Sequence, residues 1–252
     1  MKYFASSNLI RDLKFKQQVG VKADAHIEAL AIINNNEGEN DENVDLKIQL
    51  ENRDELQINA KLFVKSFDID LCLEAVKCLK QAVEVEKIDS LTFSVPAEGI
   101  ESIGIGAHSV NEDTEESAEP KTDPERQEFS QKMLNLWSSL TEKLQNEVNT
   151  FGLCDLKTDV FFQLFEESTI KPKIFQVNLK SCCVVPPKLQ EFSKEKGVKL
   201  HTHADPPSVL GQEFMDGIKT GDKPNWIIRC QLFVKARGVL QDKRYLIQYQ
   251  KD

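Results

Sequence analysis

Phe175-Gln-Val-Asn-Leu-Lys-Ser-Cys-Cys-Val-Val-Pro-Pro-Lys188 reads as a short strand running into a loop, where two adjacent thiols precede two prolines. A helix over Pro187–Lys196 follows, ended by Gly197, and Val198–His203 reads as the next strand. The same alternation extends upstream. Leu56, Ile58, Ala60, Leu62 and Val64 share one face of a strand, and Ile69, Cys72, Val76, Leu79 and Val83 follow at helical spacing with Asp68 as cap. Ile88–Val95 is the next strand. Asp123-Pro124 opens a long helix carrying Phe129, Met133, Leu136, Leu140, Leu144 and Val148. A strand near 149–154, a helix near 158–168 and a strand at 173–179 complete the series. Such alternation predicts parallel strands with right-handed crossovers, as a barrel or a doubly wound sheet. The tail differs: Trp226–Lys235 and Gly238–Gln250 read as two strands joined by a short turn, a C-terminal β hairpin.

The chain has 252 residues, enough for one large core, with 40% hydrophobic and 29% charged residues. Net charge is −9, and its distribution matters more than its size. Residues 97–128 hold ten acidic and two basic side chains, so the remainder is close to neutral. No basic stripe is available to neutralise phosphates, which argues against nucleic acid as partner. No apolar run is long enough to span a bilayer, and the N-terminus lacks the apolar stretch of a secretory signal. Six cysteines without a Cys-x-x-Cys pair suit a reducing, cytoplasmic setting. Two polar, acidic segments, 34–43 and 98–124, cannot bury enough surface to offset their ordering entropy, so they are expected as disordered insertions in a single domain spanning 1–252.

The 175–188 segment resembles one found in the regulatory (modifier) subunits of glutamate–cysteine ligase, a family similar to aldo-keto reductases. The resemblance continues through Leu189-Gln-Glu-Phe-Ser-Lys-Glu-Lys-Gly-Val-Lys-Leu-His-Thr-His-Ala-Asp-Pro206 and returns at Trp226-Ile-Ile-Arg-Cys230 and Val234-Lys-Ala-Arg-Gly-Val239. It implies an aldo-keto reductase-like (β/α)₈ TIM barrel, shortened or modified. It also implies a non-catalytic partner of the ligase catalytic subunit in a heterodimer of glutathione biosynthesis, raising that enzyme's substrate affinity and relieving glutathione feedback inhibition.

In the reductase superfamily a Tyr donates the proton, a Lys lowers that Tyr's pKa, an Asp orients the Lys and a His tunes substrate geometry. Asn59-Ala-Lys-Leu-Phe63 is similar to the lysine-bearing strand, so Lys61 falls on the catalytic lysine. Parity points Asn59, Lys61 and Phe63 into the barrel, while a solvated strand lysine is the plainer alternative. Ser94 stands at the histidine position, and no tyrosine lies between the first strands and Lys61. Tyr245 and Tyr249 read as strand residues packed on a sheet. Where the superfamily grips its cofactor with Ser-Asn, a Gln and an aromatic ring, this chain has Cys154-Asp155, Leu179 beside Asn178, and His203. No cofactor is therefore expected, and Lys61 and Ser94 with Cys154, Asp155, Asn178 and His203 would be a vestigial pocket.

Other readings stay open. Lys61 keeps alive a divergent NADPH-dependent aldo-keto reductase. Cys182, Cys183 and Cys230 are candidate redox thiols, although adjacent cysteines close a strained ring on oxidation. His201 and His203 alternate on one face and could form half a metal site, but without a third ligand no metal is expected. Trp226, Arg229, Cys230, Arg237 and Tyr245 in the tail hairpin are the candidate partner interface, because arginines and aromatics are enriched at the energetic centres of interfaces. A hairpin that simply plugs the barrel is the alternative.

Overall fold

A computed structural model describes residues 2–6, 31–34, 53–94, 124–178, 185–203 and 224–249. The strands are β1 (Lys2–Ser6), β2 (Ala31–Asn34), β3 (Leu56–Val64), β4 (Ser90–Ser94), β5 (Phe151–Cys154), β6 (Ile174–Asn178), β7 (Lys199–His203), β8 (Pro224–Val234) and β9 (Val239–Tyr249). Between the parallel strands lie α1 (Ile69–Ala82), α2 (Pro124–Leu144), α3 (Thr158–Glu167) and α4 (Pro187–Lys196). They form one nine-stranded sheet in the order β2-β1-β9-β8-β3-β4-β5-β6-β7. β3 to β7 are parallel neighbours, each crossover carrying a helix, as the alternation predicts.

The tail hairpin does not plug this sheet; it is part of it. β8 runs antiparallel to β3 from Leu56↔Val234 to Val64↔Trp226, and β9 pairs on its far side with β1. β1 and β2 were not foreseen from sequence: Ala31-Ile-Ile-Asn34 is short, and Asn34, expected in an insertion, ends β2. The rest of segment 34–43, and segment 98–124 up to Pro124, lie outside the described residues. Among the described residues β2 and β7 are the two edges of the sheet.

Period-two alternation gives the sheet two unlike faces. Ile58, Leu62, Leu91, Phe93, Leu153, Phe175, Ile228 and Leu246 belong to the buried core. The helices cover it with Val76 and Leu79 of α1, Met133, Trp137 and Leu140 of α2, and Phe161 and Leu164 of α3. Phe161 stacks on Phe175 at 4.1 Å, locking α3 onto β6. Local signals set the ends. Asp68 Oδ1 accepts from the Asp70 N–H at 2.9 Å to cap α1, and Gly197 ends α4 at φ 69°, where a side chain would be strained. Asp89 Oδ2 accepts from the Ile58 N–H at 2.7 Å and from Arg53 at 3.0 Å, tying the entry of β4 to that of β3.

Gly152 marks the closest approach within the parallel part. A Cβ there would lie 2.7 Å from Ile174 Cβ and 3.0 Å from its carbonyl oxygen. Neither atom is the end of a flexible chain, so Gly152→Ala should lower unfolding free energy by about 1–3 kcal/mol. Urea denaturation reads this, and a variant as stable as the parent would contradict so tight a β5–β6 contact.

Candidate functional site

The inner face, opposite the helices, is polar. β3 presents Gln57, Asn59 and Lys61, β4 Ser90 and Thr92, β6 Gln176, β7 His201 and His203, and β8 Arg229 and Gln231, all around a cavity of about 780 Å³. Lys61 lies inward as parity predicts and is 3% exposed, which excludes the solvated alternative. Its ammonium sits 5.3 Å from the Phe63 ring centroid.

Three strand ends converge on one carboxylate. Asp155 follows β5 at φ 61°, a left-handed backbone that Asp tolerates better than most residues. Its N–H donates to the Gln176 carbonyl at 3.1 Å. Its Oδ2 lies 3.9 Å from Lys61 Nζ, and its Oδ1 lies 2.9 Å from His203 Nε2. The side chains of Lys61 and Asp155 are each 3% exposed and that of His203 8%. Low dielectric strengthens these interactions and makes loss of either partner costly. The Lys61 charge is thus directed at Asp155. Tyr245, the buried tyrosine of the described tail, is the cross-strand partner of Arg229, which is in turn the partner of Lys61. With strands about 4.8 Å apart, it stands two strands away from Lys61.

Ser94 and Cys154 are cross-strand partners behind this cluster, both buried. Burial pushes the Cys154 thiol up to about 12, with Lys61 pulling it down and Asp155 pushing it up. Burial likewise holds Cys72 at about 12 and Cys78 at about 11. His201 is held below the ordinary imidazole range by burial and then by Lys199. His203 uses Nε2 on Asp155, and no group of three or more metal-ligating side chains occurs among the described residues.

The structure therefore brings Lys61, Asp155 and His203 together, with Ser94 and Cys154 adjoining. Asn178, at the end of β6, is the register partner of His203. Leu179, Cys182, Cys183 and Asp205 lie outside the described residues. The tail residues are corrected in part. Trp226, Arg229, Cys230 and Tyr245 are buried within the sheet instead of standing at its surface, and Trp226 Nε1 donates to Glu74 of α1 at 3.1 Å. Arg237 alone of the five is exposed, at the hairpin turn. Cys230, 1% exposed, lies inside the core and is not an accessible thiol. Sequence reasoning missed Gln176 and Gln231 as cavity residues. Their signal was parity: Gln176 alternates with Phe175 and Val177, and Gln231 with Cys230 and Leu232.

Removing one partner of a buried pair leaves the other charge stranded, so Asp155→Ala should cost about 3 kcal/mol of unfolding free energy. A change under about 1 kcal/mol, the range of surface pairs, would show that the cluster is solvated. The thiols predict a pH dependence. Between the ordinary thiol value of 9.0 and about 12, the unfolded chain ionises at Cys72 and Cys154 while the folded chain holds their protons. Their contribution is complete below pH 9 and falls as pH rises toward 12. A Cys72→Ala, Cys154→Ala variant should show a flatter decline over that window, and parallel curves would contradict the assignment.

No protein-family model matches the chain. Among solved structures it is similar to an aldose reductase from Schistosoma japonicum, with TM-score 0.39 and 17% identity, covering 58% of this chain and 45% of that one. A Giardia lamblia aldose reductase gives TM-score 0.38 and 13% identity with the same coverages. Alignments at this level leave the fold to be read from the strand order above. The curated relatives are more informative. The chain is 30% identical over 213 residues to the mouse glutamate–cysteine ligase regulatory subunit, and equally to the human one, covering 80% of this chain and 69% of each relative. A putative regulatory subunit from Schizosaccharomyces pombe is 24% identical over 127 residues, covering 47% of this chain and 44% of that protein. With that identity and coverage, this chain belongs to the glutamate–cysteine ligase regulatory subunit family.

Proposed function

We propose that the chain is a non-catalytic regulatory subunit that binds the glutamate–cysteine ligase catalytic subunit, raises its affinity for substrate and relieves glutathione feedback inhibition. The observation that carries this reading is the 30% identity to regulatory subunits over 80% of the chain. The site supports it. A reductase lysine acts on a neighbouring tyrosine, whereas Arg229 separates Lys61 from Tyr245 in the cross-strand register. An Asp–His pair stands where the superfamily holds its nicotinamide, and a buried carboxylate there disfavours a phosphate-bearing ligand.

Regulation of this kind is a coupling free energy. The subunit stabilises the partner conformation that binds substrate, and substrate must strengthen assembly by the same factor. Titrating the catalytic subunit with this chain should lower the apparent glutamate constant by about fivefold or more, within the usual range of allosteric coupling. Complex formation without that change, or reduced-nicotinamide oxidation by the chain alone with an aldehyde present, would sink the reading.

The exposed hairpin turn supports a contact surface there. The β8–β9 turn presents Arg237, and Leu240 just beyond it is 43% exposed. An arginine beside an exposed leucine at a rigid hairpin end suits an interface anchor. Removal of 238–252 is a poor test, because it deletes β9 from between β8 and β1. Arg237→Glu with Leu240→Ala leaves the sheet intact. It should weaken binding at least tenfold, about 1.4 kcal/mol, and unaltered affinity would remove the turn from the interface.

A further inference from the structure

Most charged groups of the inner cavity are already engaged. Lys61 lies 3.9 Å from Asp155, whose other oxygen goes to His203. Arg229 and Lys243 sit 5.9 Å and 5.3 Å from the Phe63 and Tyr245 ring centroids and hold further partners. Lys235 Nζ donates to the Asp54 carbonyl at 2.9 Å, and Asp89 accepts from Arg53 and the Ile58 N–H. The neutral polar groups stand apart from these, at the end of the sheet where β3 begins and β8 finishes. There Asn59 has Gln231 opposite it on β8 and Ser90 opposite it on β4, so two carboxamides and a hydroxyl form one rung. Ser90 Oγ donates to Asn59 Oδ1 at 2.8 Å, which leaves the Asn59 amide N–H groups to serve elsewhere. The next rung outward pairs Gln57 with Phe233, a half-buried ring on the cavity wall. Gln176, on the wall carried by β6, has a carboxamide oxygen buried with no hydrogen-bond partner. Asn59 precedes Lys61 by two residues, about 7 Å of strand, so this rung lies away from Asp155.

We propose that this end of the cavity binds a neutral, hydroxyl-rich ligand of the sugar or polyol class, its hydroxyls bonded to the Asn59 and Gln231 carboxamides and its C–H face laid on Phe233. Carboxamides suit hydroxyls because each offers donors and an acceptor together. An anion would have to compete with the partners that Lys61, Arg229, Lys235 and Lys243 already hold, and a cation would meet those same groups with like charge. A neutral ligand meets neither cost. The aromatic ring gives an apolar surface to the C–H face of a sugar, which amides and hydroxyls alone do not. The cavity, about 780 Å³, lies within the roughly 300–1,000 Å³ of small-molecule sites. This proposal does not depend on the regulatory reading, since it concerns the isolated subunit.

The test is calorimetric titration of the full chain with D-glucose, D-galactose, D-mannose and myo-inositol, and with D-glucuronate as a charged analogue. Melting temperature is not the readout, because sugars stabilise most folded proteins by exclusion from their surfaces. Saturable binding of at least one neutral probe is expected. Gln231→Leu should weaken that probe about tenfold and Phe233→Ala about fivefold, while Lys188→Gln on α4, outside the cavity, leaves it unchanged. Phe233 is half-exposed, so its variant keeps the test open should Gln231→Leu fail to fold. No saturable binding of any neutral probe, or an affinity unmoved by Phe233→Ala, would overturn the proposal. Glucuronate binding at least tenfold more tightly than every neutral probe would overturn the assignment to a neutral ligand.

Discussion

The antiparallel seam between β3 and β8 holds this structure together. Its nine register pairs, from Leu56↔Val234 to Val64↔Trp226, join the parallel α/β half to the tail hairpin and, through β9, to the N-terminal strands. Along Asn59–Phe63 the β3 backbone thereby has a strand neighbour on each side, parallel β4 and antiparallel β8. The seam also fixes chemistry. In the register that buries Ile58, Leu62, Ile228 and Leu232 against the helices, Lys61 must face inward beside Arg229. A one-residue slip would turn both cations into the apolar layer, so burial of one face enforces the charge arrangement of the other.

That arrangement gives the chain a buried electrostatic centre. Asp155 draws together β5, β3 and β7 by sharing its oxygens between His203 and Lys61. Such a cluster orders strand ends, because a buried charge tolerates few alternative partners. Arg229 gains a matching role: in the tail it looks like an interface residue, and in the sheet it is a wall of the cavity.

Much of the fold is legible in the chain. Leu56 to Val64 alternates strictly, and Asp68, Pro124, Pro187 and Gly197 punctuate helices where they occur. These signals are local, so no long-range pairing is needed to see them. The inward position of Lys61 follows from the same alternation. The strands Lys2–Ser6 and Ala31–Asn34 were not legible, because four or five residues give no usable period and their stability comes from β9. The surface role assigned to Trp226 and Tyr245 failed for a related reason. Residue type suggests an anchor, but only pairing partners decide whether an aromatic faces solvent or core.

The sequence by itself determined which residues share a strand face, where the helices start and stop, and which family the chain resembles, since each is a matter of order and spacing along the chain. Only the tertiary structure decided that the tail enters the sheet beside β3, that Asp155 lies between Lys61 and His203, and that Lys61 and Arg229 stand side by side. Those residues are separated by dozens of positions, and their meeting depends on strand register. Register is chosen by the burial of a whole apolar face at once, not by any short stretch of chain.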